Sequence, residues 1–423
     1  MTFKRANILL PQFSKDGEKM KKWSVVACDQ YTSEPDYWES VKDTVGNDKS
    51  TLHLTVPEIY LNEDDIEERI KKTNNTMKEY IKSNVFCEYK DAYIFLERTL
   101  ANGVKRLGVI GMVDLEDYDY KAGSETKIRA TEGTVIERIP PRLEVRHEAF
   151  IELPHIMLLI DDEAQKIIEP IKEKTEEFEK LYDFDLMQNS GHLTGYKMSE
   201  EESNKLSEKL LQLENIEEFN EKYGVKKEFP LIFAVGDGNH SLATAKTHYE
   251  NLKKEIGEEN AKNSPARYAL CELVNLHDES LEFEAIHRVV FDLNGEAFLS
   301  ALEKEYDISY DENAKGQSFE FVLNGQKKKV TIKNPKEYLT VATVQKFLDA
   351  YVEKNGGEID YIHGDDVVLK LCQDERNFGI IFDAMEKTDL YKSVILDGAL
   401  PRKTFSMGEA CDKRFYTESR KIK

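Results

Sequence analysis

The middle of the chain contains an apolar run followed by a glycine turn, Leu231-Ile232-Phe233-Ala234-Val235-Gly236-Asp237-Gly238-Asn239-His240-Ser241-Leu242-Ala243-Thr244-Ala245. The apolar residues at the start of this stretch predict a buried strand. Gly236 and Gly238 allow a sharp turn and a close approach of the backbone to a ligand, because neither residue has a Cβ atom. From Ser241 onward the residues predict an amphipathic helix that begins directly after the turn.

A strand, a glycine turn and a helix start together form a suitable site for an anion. The unpaired amides and the positive end of the helix dipole point at a group bound above the turn. Asp237 and His240 are the two side chains there that can bind a metal ion, transfer a proton or hold a phosphate oxygen. The alternative is purely structural: Asp237 or Asn239 caps the helix and His240 packs. The pattern of a single turn leaves both interpretations open.

The composition indicates a folded, acidic protein. A hydrophobic share of 40%, with 20 Tyr and 20 Phe in 423 residues, argues against disorder and allows two or three lobes. A formal net charge of −22 disfavours non-specific binding to nucleic acids or anionic membranes. The scattered cysteines lack metal-ligand or disulfide-framework spacing. Because we find neither a signal peptide nor an apolar run of membrane-spanning length, we expect a cytoplasmic protein.

One polar stretch is unusually basic for this chain and contains Arg129, Arg138, Arg142 and Arg146. A guanidinium group is a planar fork that suits phosphate or carboxylate. We expect most of these arginines to pair with surface carboxylates. Arg129 is the exception, because it precedes the polar turn Thr131-Glu132-Gly133-Thr134, and we expect it to contact an anionic ligand.

Carboxylates end two other predicted strands. Asp161 and Asp162 follow the apolar residues of the segment 153–162. Such a pair can hold Mg²⁺ together with phosphate oxygens, or it can simply begin the charged helix predicted at residues 163–181. Asp29 is a site candidate by its position after a strand, although a turn capped by Asp29 is the favoured interpretation.

The last third of the chain adds a hairpin and two further basic residues. Asn324-Gly325 is the strongest hairpin signal in the sequence. Arg288 lies in a strand predicted at residues 281–291, next to a histidine that must point to the opposite face. Arg402 lies in the tail segment 400–408, whose apolar and basic residues suit closure over an anionic ligand.

Several of these stretches together resemble one family. They are residues 129–134 with 153–162, residues 235–245, residues 286–288, residues 361–364 and residues 400–408. Over nearly the whole chain they resemble the bacterial and archaeal family catalogued as domain of unknown function 1015, which brings little established chemistry.

The Asp-Gly-Asn-His turn by itself resembles the Asp-Gly-X-His-Arg signature of the ParB/sulfiredoxin-like superfamily. There the turn binds nucleotide phosphates or a phosphorylated substrate. Ser241 stands where that superfamily usually has Arg, so a phosphate-neutralising cation has to come from elsewhere. Arg288 is our candidate for this cation.

The predicted fold is α/β of the mixed, α+β kind, with mixed sheets and flanking helices. The resemblance implies a ParB/sulfiredoxin-like core with additional lobes. We predict a β-rich lobe at residues 1–160, a helical insert with the ParB-like core at residues 161–292, and an α/β lobe at residues 293–423.

The superfamily includes free serine kinases, which phosphorylate L-serine with a nucleotide and Mg²⁺. The resemblance therefore implies an enzyme that transfers a phosphoryl group from ATP or ADP to a hydroxyl amino acid. One alternative is a phosphohydrolase acting on phosphoserine or a similar ester. The other is a non-catalytic protein that binds a nucleotide or a partner. The expected partner is a nucleotide or a small phosphorylated molecule, with a homodimer left open and neither nucleic acid nor membrane expected.

In the kinase interpretation each candidate residue has a predicted role. The catalytic candidates are Asp237, His240 and, as a base, Glu132. Asp237 is also the predicted Mg²⁺ ligand. The predicted phosphate- or nucleotide-binding residues are Gly236, Gly238, Asn239, Ser241, Arg129, Thr131, Thr134, Arg288 and Arg402.

Overall fold

The structure is a computed structural model that describes residues 1–121 and 123–423. It has the mixed α/β content that the sequence predicts. Contacts within the chain group it into two units. Unit 1 comprises Met1–Ala130, Thr134–Leu281 and Gly408–Lys423, and unit 2 comprises Thr131–Gly133 and Glu282–Met407.

Unit 1 contains the helices α1 (Gly17–Trp23), α2 (Pro35–Val45), α3 (Ile66–Lys82), α4 (Ile139–His147), α5 (Glu200–Gln212), α6 (Ile216–Tyr223), α7 (Asn239–Ile256) and α8 (Glu258–Lys262). Its strands are β1 (Phe3–Lys4), β2 (Ala6–Pro11), β3 (Val25–Val26), β4 (Phe86–Ala92), β5 (Ile94–Thr99), β6 (Lys105–Asp114), β7 (Ile128–Ala130), β8 (Ile151–Glu152), β9 (Met157–Ile160), β10 (Glu179–Asp185), β11 (His192–Lys197), β12 (Phe233–Asp237), β13 (Tyr268–Asn275), β22 (Phe415–Tyr416) and β23 (Arg420–Lys421). Short 3₁₀ helices lie at Thr51–Leu54, Glu58–Tyr60, Leu115–Asp117, Ile136–Arg138, Glu169–Glu177, Met187–Asn189, Pro265–Arg267 and Ala410–Asp412.

The main sheet of unit 1 has the strand order β10-β11-β5-β6-β13-β9-β12-β7, and β1 pairs with β6. Successive residues of β5 belong to different apolar cores, since Ile94 and Leu96 lie in one core and Phe95 in the other. Side chains alternate along a strand, and so the sheet has one core on each face. Near one edge, β12 pairs in parallel with β7 and antiparallel with β9. This sheet therefore fixes the strand that leads into the glycine turn.

Unit 2 contains the helices α9 (Gly295–Glu305), α10 (Thr340–Asn355), α11 (Asp365–Leu371) and α12 (Lys387–Leu396). Its strands are β14 (Phe283–Ala285), β15 (His287–Phe291), β16 (Ile308–Ser309), β17 (Gln317–Leu323), β18 (Gln326–Ile332), β19 (Glu358–Ile362), β20 (Phe378–Ile381) and β21 (Phe405–Met407). Six of these strands form a sheet in the order β16-β18-β17-β20-β15-β19, and β14 pairs with β21.

The locally encoded elements follow the sequence predictions. The hairpin at Asn324-Gly325 is confirmed, because both residues have positive φ angles (50° and 69°) and connect β17 to β18. The helix α2 begins at Pro35, whose fixed φ angle suits the first turn of a helix.

One prediction is wrong, and the predicted lobe bounds stay predictions. The charged helix predicted at residues 163–181 is wrong: Glu169–Glu177 is a 3₁₀ helix, and β10 then begins at Glu179 because it pairs with β11. The predicted boundary at residue 160 falls inside unit 1, since β9 ends there and pairs with β12 and β13 of the same sheet. The predicted boundary at residue 292 likewise falls inside unit 2.

Candidate functional site

The glycine turn between β12 and α7 requires glycine at position 238. Gly238 has a φ of +78°, in the left-handed region that residues with a side chain rarely adopt. A Cβ atom on Gly238 would lie 2.9 Å from the Cα of Ile156 and 3.1 Å from the ring of His155. The turn therefore packs its backbone directly against the segment that carries His155.

The first turn of α7 keeps its amides available. Gly238 is the N-cap, and no side chain in the described part of the chain caps this helix. Helix geometry leaves the amides of the first residues without partners inside the helix. Asp237 does not cap α7, because its Oδ1 accepts a hydrogen bond from the Gly238 amide at 2.8 Å. The start of α7 thus presents amides and a positive dipole end, as an anion site requires.

His155 joins Ser241 to the C-terminal segment. The Tyr416 hydroxyl accepts a hydrogen bond from the Cys28 amide at 3.0 Å and lies 2.9 Å from His155 Nδ1. Burial raises the pKa of Tyr416 well above its usual value, so its hydroxyl hydrogen is available to donate to Nδ1. In the neutral imidazole the ring proton then lies on Nε2.

This tautomer determines what Ser241 can do. His155 Nε2 lies 2.6 Å from Ser241 Oγ and donates to it. Because the serine oxygen accepts this bond, its own hydrogen is left to donate to a ligand oxygen. Ser241 therefore acts as a hydrogen-bond donor supported by a buried histidine.

Asp29 and Lys413 form the charged part of the site. Asp29 Oδ2 lies 4.0 Å from His155 Nε2, and Lys413 Nζ lies 3.4 Å from Asp237 Oδ2. Burial acts to raise the pKa of Asp29, but the neighbouring His155, the hydrogen bond from Gln30 and the charge of Lys413 together lower it below its usual value. Asp29 is consequently ionised at neutral pH and close to a cation.

His240 is neutral at physiological pH. Burial, followed by the charges of Arg142 and Arg138, lowers the pKa of His240 to about 4. Its Nε2 accepts a hydrogen bond from the Val135 amide at 3.3 Å, so the ring proton lies on Nδ1. Arg142 itself is paired with Glu58. His240 can thus donate a hydrogen bond from Nδ1 but carries no charge to neutralise a phosphate.

The remaining predicted residues of unit 1 are Arg129 and Thr134. Arg129 lies on β7 opposite Ala234 of β12 and is only 4% exposed. Its Nε donates to the Thr126 carbonyl at 2.9 Å, while its Nη2 is buried without a hydrogen-bond partner. The Thr134 hydroxyl is also buried without a partner. Their predicted contact with an anion stays a prediction.

Four predicted residues belong to unit 2. Thr131 and Glu132 lie in a segment that pairs with Leu400, whose amide donates to the Thr131 carbonyl at 2.7 Å. Arg288 is fully buried, with its Nε bonded to Gln345 at 2.7 Å and its guanidinium 4.8 Å from the Tyr361 ring. The guanidinium of Arg402 also lies over the Tyr361 ring, at 5.5 Å. Roles for these residues at the turn stay predictions.

The described side chains provide too few ligands to hold a metal ion by themselves. Among residues 1–121 and 123–423, no group of three or more His, Cys, Asp or Glu side chains is placed to hold one. Asp161 is bonded to His277 and paired with Lys222, and Asp162 accepts two backbone amides. Asp237 offers one carboxylate beside Lys413. Such a donor set fits Mg²⁺ when phosphates and water supply most of its ligands.

Sequence reasoning missed three residues of this site: His155, Lys413 and Tyr416. Each lies far along the chain from the turn, and none stands in a recognisable motif. Asp29 was a candidate from its position at the end of a strand, and the structure brings it within range of His155 and Lys413. The proline before His155 and the basic residues of the C-terminal segment were the available signals.

The family described as "Protein of unknown function (DUF1015)" matches residues 12–351. The chain belongs to this family. A comparison with curated proteins finds no match. Within the described residues, we find no helix both long and apolar enough to cross a membrane.

The DUF1015 chain also has similar solved structures. A free serine kinase in complex with AMP is 13% identical, with 74% of this chain and 90% of that chain covered and a TM-score of 0.38. A conserved hypothetical protein from Pyrococcus furiosus is 12% identical, with coverages of 74% and 94% and a TM-score of 0.35. SbnI from Staphylococcus aureus, truncated at its C-terminus, is 9% identical, with coverages of 73% and 85% and a TM-score of 0.36. Scores this low carry no inference about activity, which has to come from the geometry of the chain itself.

Proposed function

We propose that this DUF1015 protein is a small-molecule kinase that transfers a phosphoryl group from ATP or ADP to the hydroxyl of an amino acid. The observation that carries the proposal is the position of ionised Asp29, close to His155 and Ser241 at the uncapped start of α7. Phosphoryl transfer depends mainly on positioning and charge stabilisation. The start of α7 can position the phosphates and stabilise their charge, and Asp29 lies close by as a base.

The start of α7 binds the phosphates in this proposal. The amides of Asn239 and His240 donate to phosphate oxygens, and the glycines at positions 236 and 238 let these oxygens approach. Ser241 donates its hydroxyl hydrogen to the same group. Lys413 supplies the positive charge that the Arg of the superfamily signature would otherwise provide. Its position 3.4 Å from Asp237 supports a cation source within unit 1.

Asp29 is the proposed base. The acceptor hydroxyl gives its proton to Asp29 while its oxygen attacks the terminal phosphorus, and the bond between that phosphorus and the nucleotide oxygen breaks. His240 donates a hydrogen bond from Nδ1 to the transferred group. The role of base predicted from the sequence for Glu132 stays a prediction.

Asp237 would hold the Mg²⁺ ion of a metal–nucleotide complex. Such an ion supplies charge neutralisation at the phosphate oxygens. Arg129 and Thr134 are proposed as further nucleotide contacts within unit 1, and the roles predicted for Thr131, Arg288 and Arg402 stay predictions. We also propose a cytoplasmic location, where ATP and ADP are available.

Incubating the purified protein with Mg²⁺, ATP or ADP and a hydroxy amino acid tests the proposal. We expect a phosphorylated amino acid, detected by ³¹P NMR and mass spectrometry. Release of phosphate from O-phosphoserine without any nucleotide would instead identify a phosphohydrolase. Nucleotide-induced thermal stabilisation without turnover would identify a binding protein.

A further inference from the structure

A cavity of about 140 Å³ lies beside the turn, within unit 1. His155 and Ser241 form one part of its lining. Much of the remaining wall is aliphatic, with Leu54, Val56 and Met77 among its residues. A molecule in this cavity therefore meets polar side chains on one side and hydrocarbon on the other.

The charges in the cavity wall are balanced. Arg142 is paired with Glu58, and Arg146 Nη2 lies 2.6 Å from Glu152 Oε2. All four side chains are at most 15% exposed. An occupant with no net charge can match its ammonium and carboxylate groups to these pairs. A phosphate dianion would be desolvated next to two carboxylates, which is unfavourable.

The volume limits the size of the occupant. An apolar cavity of about 150 Å³ holds benzene. This cavity therefore takes a molecule of roughly six to eight non-hydrogen atoms, by the same comparison. A nucleotide is too large, whereas serine and threonine fall within the range.

We infer that this cavity is the acceptor subsite and that it selects a zwitterionic hydroxy amino acid with an aliphatic branch, of the threonine type, over serine. The transfer step rests on the proposed function, but binding of the amino acid does not. The branch methyl lies against the aliphatic wall, where each buried methyl group tightens binding roughly fourfold.

Calorimetry and thermal shift on the full-length protein test this inference, with and without ADP. The probes are L-threonine, L-serine and O-phospho-L-threonine. We expect L-threonine to bind about fourfold or more tightly than L-serine, and O-phospho-L-threonine not to displace it. Equal or tighter binding of L-serine, displacement by the phosphate ester, or no binding of either amino acid would overturn the inference.

Substitutions at one residue of the cavity wall test whether L-threonine binds in this cavity. Val145 is half-buried and lines the cavity, so Val145→Phe fills it and should weaken L-threonine binding by more than about tenfold. Val225→Phe is the matched control, at a half-buried valine of unit 1 outside this lining. Unchanged L-threonine affinity in Val145→Phe contradicts the subsite.

A second variant covers the case in which Val145→Phe does not fold. Val145→Ala enlarges the cavity and should shift the preference from L-threonine toward L-β-hydroxynorvaline, its next longer homologue. An unchanged preference overturns the subsite. Transfer assays separate the two proposals: amino-acid binding without phosphoryl transfer refutes only the kinase, and transfer with unaltered selectivity in both variants refutes only the subsite.

Discussion

Asp29 is the side chain on which the proposed transfer depends. Its lowered pKa keeps it ionised at neutral pH, ready to accept the proton of the acceptor hydroxyl. Replacing Asp29 by Asn removes the base and retains the shape of the side chain. We expect kcat to fall by roughly 10²- to 10⁴-fold while nucleotide affinity is unchanged, as measured by steady-state kinetics and calorimetry.

The matched control for this variant is Asp36→Asn. Asp36 is an exposed carboxylate in the first turn of α2. The kcat of the Asp36→Asn variant should equal that of the unsubstituted protein. Full activity in Asp29→Asn would show that Asp29 is not the base.

His248 makes the stability of unit 1 depend on pH. It is 7% exposed, and burial, followed by the charge of Arg146, lowers its pKa to about 4. The unfolded chain binds a proton near pH 6.5 that the folded chain does not bind until about pH 4. Stability is therefore lost as pH falls through this window, by at most about 2 kcal/mol between pH 7.5 and pH 5.

Replacing His248 by Gln should remove this share of the pH dependence. Urea unfolding at pH 7.5 and pH 5 measures the difference in the free energy of unfolding. His363→Gln is the control, because the His363 side chain is 56% exposed. Identical losses in His248→Gln and the unsubstituted protein would show that His248 is not the group responsible.

At the scale of the element, the turn between β12 and α7 depends on Gly238. Gly238→Ala places a side chain at a φ of +78° and brings a Cβ within 2.9 Å of the Ile156 backbone. We expect a loss of about 2–3 kcal/mol in the free energy of unfolding. Nucleotide binding should weaken as well, because the amides of α7 shift with the turn.

Gly224 provides the control for backbone conformation alone. It has a φ of +66°, and a Cβ atom there would have no neighbour within 4 Å. Gly224→Ala should therefore lose only about 1 kcal/mol and bind nucleotide normally. Equal losses in the two variants, measured by urea unfolding, would show that the close approach to Ile156 is unimportant.

Elements encoded by local signals could be predicted from the sequence. The glycine turn and the Asn324-Gly325 hairpin need positive φ angles that few residue types adopt. The residue types at these positions therefore predict where both turns lie. The segment from residue 163 to 181 could not be predicted in this way. Its charged residues suit an exposed helix, but β10 begins at Glu179 because β11 offers backbone partners. Pairing with a distant strand outweighed local preference.

Most site residues outside the turn could not be predicted from the sequence, for the same reason. Asp237 and His240 are adjacent to the glycines that identify them. His155 lies 86 residues from Ser241 in the chain, and its other partner, Tyr416, lies 261 residues from His155. Only the folded chain brings these groups together, since no local periodicity connects them.

At the scale of the whole molecule, the C-terminal segment Gly408–Lys423 completes the site in unit 1. It carries Lys413 and Tyr416 on either side of Arg414. Arg414 Nη1 lies 2.6 Å from Glu272 Oε2, and Arg414 is also paired with Glu418. These buried ion pairs hold the segment against the main sheet, because Glu272 lies on β13.

Arg414→Met tests whether the buried ion pairs position the site. The substitution leaves Glu272, which is 1% exposed, without its main cation, and a buried unpaired charge costs about 3–5 kcal/mol. Urea unfolding should show this loss, and nucleotide affinity should fall because Lys413 and Tyr416 lose their anchor. The exposed control, Arg376→Met, should change stability by less than about 0.5 kcal/mol, since Arg376 is 71% exposed.

The double variant Arg414→Met/Glu272→Gln decides whether the two charges act as a pair. Removing both charges leaves no unpaired carboxylate at position 272, so the double variant should be less destabilised than the sum of the single variants by about 1–3 kcal/mol. Strict additivity would mean that Arg414 stabilises the segment through Glu418 and the Pro154 carbonyl, to which its Nε donates at 2.9 Å. In that case the site would be anchored by contacts within residues 408–423 and the loop before His155, and Glu272→Gln alone would leave nucleotide binding intact.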